Sequence, residues 1–210
     1  MFEKNPDREF FIEQLVPADW MYPHLVPHGF ILRIDRKSLP QLSPEIIARD
    51  TDFWTQRIEP LIGNWLREET SVQEVCAFTE RTFVRRDLTG YKGDRQFVET
   101  AWPWHHAPEH IGASVFIGHC RAMIADVYAW RARQANTVEE RERMVRAADF
   151  AFRQALALCP YERESVFRYV NLLSSLQRTE DARSIIGVAV QISPAVFRHL
   201  ERQFAKKAAP

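Results

Sequence analysis

The stretch Ala148-Asp149-Phe150-Ala151-Phe152-Arg153-Gln154-Ala155-Leu156-Ala157-Leu158-Cys159-Pro160 is echoed 34 positions later by Ala182-Arg183-Ser184-Ile185-Ile186-Gly187-Val188-Ala189-Val190-Gln191-Ile192-Ser193-Pro194. Equivalent places keep their character: Ala148 and Ala182, Phe152 and Ile186, Ala155 and Ala189, Pro160 and Pro194. Apolar residues at intervals of three and four, closed by a proline, describe an amphipathic helix and its stop. Alanine at the repeated places lets two helix axes approach closely enough for the larger side chains to interlock. Upstream of the second copy, Val166, Tyr169, Val170 and Leu173 form the apolar stripe of a facing helix; Ile124, Ala125 and Tyr128 do so for the first. Ile124–Pro194 therefore reads as two helical hairpins.

A period of 34 residues is that of the tetratricopeptide repeat. The first hairpin is longer than the repeat allows. Tyr128 to Ala148 spans 20 residues against 9 from Leu173 to Ala182. The extra length extends both helices by about a turn and a half at the hairpin tip. Thr137 and Glu140 predict a capping box that restarts the helix there. The repeat's usual tryptophan and glycine are missing from the second hairpin, and two repeats are fewer than the roughly three an isolated array needs, so the array must lean on the rest of the chain. Ser193-Pro194 followed by Phe197, Leu200 and Phe204 predicts a last helix, Pro194–Phe204, that seals the open end. Residues 112–205 are thus expected to form five helices and no strand. The fold class read from these patterns is mainly α: a small α+β N-terminal part, 1–110, packed on a tetratricopeptide-like array of antiparallel hairpins, 111–210.

The N-terminal part carries two alternating runs, Arg8–Leu15 and Phe30–Asp35, expected as short strands. Two strands make a marginal sheet. The first begins close to Met1, so a partner strand upstream is expected. Between them Pro17, Pro23 and Pro27, with Trp20, Tyr22, His24 and His28, read as a rigid non-helical loop with Trp20 and Tyr22 packed beneath the sheet. Ser43 caps a helix with Pro44 at its first position. That helix carries the stripe Ile46, Ile47, Asp50, Trp54, Ile58, Leu61, Ile62 and Trp65, and Pro60 predicts a kink or break near Arg57–Glu59. Thr70 and Gln73 suggest a second capping box, with Val72, Val75, Cys76, Thr79 and Phe83 on the inner face of the next helix. Leu88–Asp94 is a glycine-punctuated loop.

Composition narrows the function. The 210 residues hold 28 Lys+Arg and 28 Asp+Glu. Residues 1–104 carry 13 basic against 17 acidic side chains, and 105–210 carry 15 against 11. Such dispersed charge lacks the clustered basic face that nucleic acid requires, which excludes that partner class. Cys76, Cys120 and Cys159 have no metal-pair spacing, and Cys76 and Cys159 read as buried thiols. No apolar run reaches the ~20 residues of a bilayer span. The start Met1-Phe2-Glu3-Lys4-Asn5-Pro6 has no signal-peptide character, which by itself places the chain in the cytoplasm.

No stretch declares a catalytic centre. His105, His106, His110 and His119, with Glu109, are the only cluster with metal-ligand chemistry. Pro108 interrupts the spacing, so a hydrogen-bonded linker is the expectation and no metal or cofactor is assigned. Asp19, Glu13 and Glu9 lie near His24 and His28 in sequence, but nothing fixes an acid–base geometry. Trp20, Tyr22, Trp102 and Trp104 could stack sugar rings, although core packing is the expected role. Tyr91-Lys92-Gly93 lacks the remainder of a phosphate loop. Binding candidates are Trp20, Tyr22, His24 and His28 in the loop, and Arg121, Arg131, Arg168 and Asn171 on the first helix of each hairpin. In a repeat array those helices line the partner groove. The alternative is that the N-terminal part fills that groove itself.

Several stretches carry a family resemblance: Asn5-Pro6, Arg8-Glu9-Phe10-Phe11-Ile12-Glu13, Asp19-Trp20-Met21-Tyr22-Pro23-His24-Leu25, Phe53-Trp54, Phe83-Val84-Arg85 and Tyr128-Ala129-Trp130-Arg131. Residues 2–133 resemble the soluble region that follows the membrane spans of bacterial proteins similar to protein O-mannosyltransferases. The resemblance implies an extracytoplasmic location, at odds with the cytoplasmic reading, and a membrane core with the catalytic acidic loop lying upstream. No catalytic residue carries over. Ala101-Trp102-Pro103-Trp104-His105-His106 departs from the helical, basic run the family would have there. The chain is expected to be a non-catalytic interaction or tethering module, bound to a protein partner or to a membrane-bound glycosyltransferase-like partner. The alternative is an enzyme or binder that meets a glycan through residues 19–28.

Overall fold

The computed structural model describes residues 2–13, 19–100 and 112–208. Three short antiparallel strands, β1 (Phe10–Ile12), β2 (Leu25–His28) and β3 (Ile31–Ile34), form a sheet of order β1-β3-β2. The register pairs Ile12 with Leu32, Phe10 with Ile34, and Leu25 also with Ile34. β1 and β3 fall within the two expected runs. β2 corrects the reading of the proline-rich segment as loop throughout. Pro27 lies in an edge strand, where a missing N–H costs no ladder bond. The chain reverses through Gly29-Phe30, with Gly29 at φ +64, as a two-residue hairpin turn requires. β2 thus supplies the third strand of the sheet.

Helix α1 (Pro44–Ile62) starts at Ser43 and runs through Pro60 without a break. Pro60 falls in the last turn, so only one helical hydrogen bond is forfeited there. The carbonyls of Pro60 and Leu61 are taken by the backbone N–H of Asp94, both at 3.0 Å. Tyr91 donates its hydroxyl to Leu61 as well, at 2.8 Å. Gly93 lets this loop close under the helix end, since a Cβ there would sit 2.7 Å from Ile62 Cα. Helix α2 (Val72–Thr79) begins one residue later than expected. Its capping box is Ser71 with Glu74, and it continues as a π-helical turn, Glu80–Val84. Thr70 instead accepts from the backbone N–H of Arg67 at 2.8 Å. The predicted inner face of α2 is buried throughout. A short α3 spans Arg95–Thr100.

Five helices follow: α4 (Ala113–Gln134), α5 (Val138–Leu158), α6 (Arg163–Ser175), α7 (Thr179–Ile192) and α8 (Pro194–Ala208). Among the described residues no strand lies after Ile34. Thr137 caps α5 by accepting from the Glu140 N–H at 3.2 Å. The Glu140 side chain is buried, close enough to Arg131 to support its charge. The residues repeated at 34 positions, Ala148, Phe152, Ala155, Ala182, Ile186 and Ala189, are all buried. Gly118 allows the close approach of α4 and α5, because a Cβ there would lie 2.9 Å from the Cys159 Cβ.

Ala148 to Leu158 is buried at every position, so the second half of α5 is the central rod of the fold. α1 and α2 pack on one side of it and α4 and α6 on others, while α2 also reaches α7. The sheet rests on α1 and α4, with Phe30 set edge-on to Phe53 and Trp54. One buried apolar cluster runs through both halves of the chain. The expected boundary near His110 lies outside the described residues.

Ala182→Trp probes this packing. Ala182 is fully buried between helices, and the added volume is expected to cost about 2 kcal/mol or more in a chemical melt. An unchanged midpoint would remove Ala182 from any helix contact.

Candidate functional site

α4 packs on α6 and α6 on α8, and the proposed arginines of α4 and α6 divide according to burial. Arg121 is 1 % exposed. Its Nη1 donates to Asp50 Oδ2 at 2.7 Å, its Nε donates to Gln154 Oε1 at 2.7 Å, and its guanidinium covers the Trp54 ring at 5.1 Å. Tyr128 donates to the same Asp50 oxygen at 2.8 Å. This is an internal ion pair, and Arg121 is corrected from partner-facing to core. The stripe Asp50-Trp54-Ile58 on α1 brings that carboxylate inward.

Arg131 is likewise internal. Nη1 donates to the Leu39 carbonyl at 2.9 Å, and Nη2 to the carbonyls of Leu25 at 3.1 Å and Pro23 at 3.3 Å, with Tyr22 O at 3.5 Å. It fastens the sheet and its flanks to α4. Burial pushes its pKa down, and the Glu140 carboxylate opposes that.

Tyr22 is buried, stacked on Trp130 at 5.3 Å, and donates to Asp126 Oδ2 at 2.7 Å. Burial and the Asp126 carboxylate push its phenol well up. Arg168 Nη1 donates to the same oxygen at 2.8 Å, and its Nε to Glu164 at 2.9 Å. The N-terminal segment therefore packs on α4 at Asp126 and Trp130, and Tyr22 and Arg168 are committed to that contact.

His24 Nδ1 lies 2.9 Å from the Asp35 carbonyl, a structural bond to backbone. His28 is exposed and tilts against Phe11 at 5.2 Å. Trp20, expected beneath the sheet, is 64 % exposed. So residues 19–28 do not gather into one aromatic platform: Tyr22 faces inward and Trp20 outward. Trp102, Trp104, His105, His106, Glu109 and His110 lie outside the described residues. Among the described residues no group of three or more His, Cys, Asp or Glu is placed to hold a metal ion. The three thiols are buried, and burial raises them to about 12 at Cys76, 11 at Cys120 and 12 at Cys159.

What stays open lies beyond Arg168. Asn171 is exposed in a groove of about 270 Å³ between α6 and α8. Val170, Leu200 and Phe204 form its apolar lining, Gln203 faces Asn171 across it, and Phe167 stands 42 % exposed at its edge. Phe167, Asn171 and Ser174 follow the helical face spacing, so this groove was readable from sequence once the register of α6 was fixed. Gln203 and Phe167 were missed because neither residue type marks a site by itself.

His119 contributes to a different feature. Glu162 is the N-cap of α6 and accepts from the backbone N–H of Ser165 at 2.6 Å and Glu164 at 3.1 Å. His119 Nδ1 is 3.9 Å away, beyond hydrogen-bond reach, so the cap bonds are the firm ones. Burial pushes the Glu162 carboxyl up, but the neighbouring His119 together with the bonds from Ser165 and Glu164 outweighs it and holds it at about 2. A depressed carboxyl stabilises above its unfolded value and loses that contribution as pH falls through the folded one. Glu162→Gln is therefore expected to cost about 1–2 kcal/mol at neutral pH. The difference from the parent should close as pH falls from 4.5 to about 2. A gap that persists at the acid end of a series of melts would contradict the assignment.

Comparison with known protein families, with curated proteins and with solved structures found no match. No helix among the described residues is long and apolar enough to cross a membrane.

Proposed function

We propose that this chain is a non-catalytic interaction module whose tetratricopeptide-like helices hold a peptide segment of a partner protein in the groove between α6 and α8. The observation that carries this reading is the contrast along one face. The α4 part is occupied by the chain's own Tyr22, whereas the part around Phe167, Asn171 and Gln203 presents an apolar floor with two amide side chains and is left open. Two amides on either side of an apolar slot suit an extended segment: one apolar side chain enters, and its flanking backbone amides bond to Asn171 and Gln203. The resemblance to the soluble region of glycosyltransferase-like membrane proteins adds one candidate partner, such a membrane protein, which this module would tether.

The test is selection of a random-peptide display library on the immobilised full chain. A peptide class is expected that is retained by the parent and lost on Phe167→Asp, with an unchanged melt. Absence of any class sensitive to Phe167→Asp would overturn the groove assignment. One observation favours a second reading. The exposed Trp20 ring could stack on a sugar, and a glycan panel on which binding falls with Trp20→Ala would support it.

A further inference from the structure

A second concavity lies where the over-long first hairpin overhangs the end of α6. It has a volume of about 360 Å³ and is bounded by the C-terminal turns of α4, the first turns of α5 and the last turn of α6. Its floor is apolar, with Ala132, Val145, Leu172 and Leu176; Arg133 and Arg141 stand at its rim, and no carboxylate lines it. Several arginines of these helices are paired, Arg146 with Glu142, Arg168 with Asp126 and Glu164, Arg178 with Asp149 and Asp181, and Arg183 with Glu180, whereas Arg143, beside Arg141 on α5, has a buried Nε without an acceptor. Arg133 and Arg141 form no ion pair among the described residues, although both are exposed and within reach of the same space. Asp126, two turns before Arg133 on α4, is already shared by Tyr22 and Arg168.

The position of Arg141 sharpens the point. It lies near the N-terminus of α5, the positive end of the helix dipole, where a cation is disfavoured. Glu139 and Glu140 supply the acidic charge of that first turn, but Arg141 itself forms no salt bridge among the described residues. An external carboxylate would supply one, since two guanidinium forks at one rim match its geometry. The 11 residues by which this hairpin exceeds the 34-residue period are what build the overhang, so the departure from the repeat and the concavity have one origin.

We propose that this cup takes a peptide segment of a partner protein in which a large aliphatic side chain adjoins an acidic residue, the first on the floor and the carboxylate between Arg133 and Arg141. The proposal rests on the interaction-module reading but uses a different surface from the α6–α8 groove. The same display library, panned on the full-length parent, on R133E/R141E and on F167D, tests it. The expected result is a class pairing Asp or Glu with Leu, Ile or Val that is kept on F167D and falls about tenfold or more on R133E/R141E. If only a class lost on F167D emerges, the interaction module stands and the cup falls. An acidic–aliphatic class insensitive to R133E/R141E, or a basic consensus, also overturns the cup. No enrichment on any protein overturns both readings. Should R133E/R141E melt below the parent, R133Q/R141Q replaces it, with the same outcomes deciding.

Discussion

Arg121→Met is expected to lower the stability of the chain by about 3–5 kcal/mol, because it strands a buried carboxylate. Asp50 is nearly fully buried, and Arg121 supplies its counter-charge at 2.7 Å. Without the guanidinium, Asp50 keeps only the Tyr128 hydroxyl, Gln154 Oε1 loses its donor, and the Trp54 face loses its cation. A domain has only about 5–15 kcal/mol in hand, so a large shift in the denaturant midpoint follows. The double variant Asp50→Asn with Arg121→Met removes both charges and should recover a substantial part of the loss, since partners in one network do not add. A single variant within about 1 kcal/mol of the parent would contradict the burial of this pair.

That ion pair also shows where sequence reading stops. The apolar periodicity of Ala148–Pro160 and Ala182–Pro194 led directly to α5 and α7, and Ser193-Pro194 led to α8. Periodicity reports which face of a helix is buried; it does not report the partner. Arg121 and Arg131 stood on a stripe consistent with an exposed groove, yet both are buried because Asp50 and four backbone carbonyls, 71 and more residues away, meet them. Their long-range pairing has no local signature. The buried Asp149, Arg153 and Gln154 on α5 were hidden for the same reason: Asp149 accepts from Tyr169 at 2.8 Å, and Arg153 donates to the carbonyl of Thr70.

Errors at shorter range have local causes. β2 was missed because three prolines outweighed the alternation of Leu25 and Pro27, although an edge strand tolerates Pro27 and Gly29 marks the turn. The second capping box was placed one residue early because Thr70-x-x-Gln73 and Ser71-x-x-Glu74 overlap. Ser71 prevails because Glu74 is charged and returns two bonds, to Ser71 N and Oγ, both at 2.7 Å. Trp20 and Tyr22, two positions apart, take opposite environments; only Tyr22 bonds to Asp126 and has a ring to stack on.

Arg131→Met is expected to release the N-terminal sheet from the array while the hairpins persist. One side chain donates to the carbonyls of Pro23, just before β2, of Leu25, at its start, and of Leu39, after β3; Pro23 also accepts from the Leu39 N–H at 2.9 Å. A buried charged donor bonded to carbonyls contributes about 1.5–3 kcal/mol, and each carbonyl left dry adds to the deficit. Methionine keeps most of the stem volume, so the loss is polar rather than a cavity. Tyr22 is held next to this contact through Asp126, so the α4 face would be uncovered as the sheet detaches. Amide exchange should accelerate across residues 22–39 with much less change across Ala148–Leu158 of α5, which is buried at every position. If exchange rises equally throughout, the sheet and the hairpins unfold as one cooperative unit. The filling of the α4 face would then be an inseparable part of the fold rather than a docked segment.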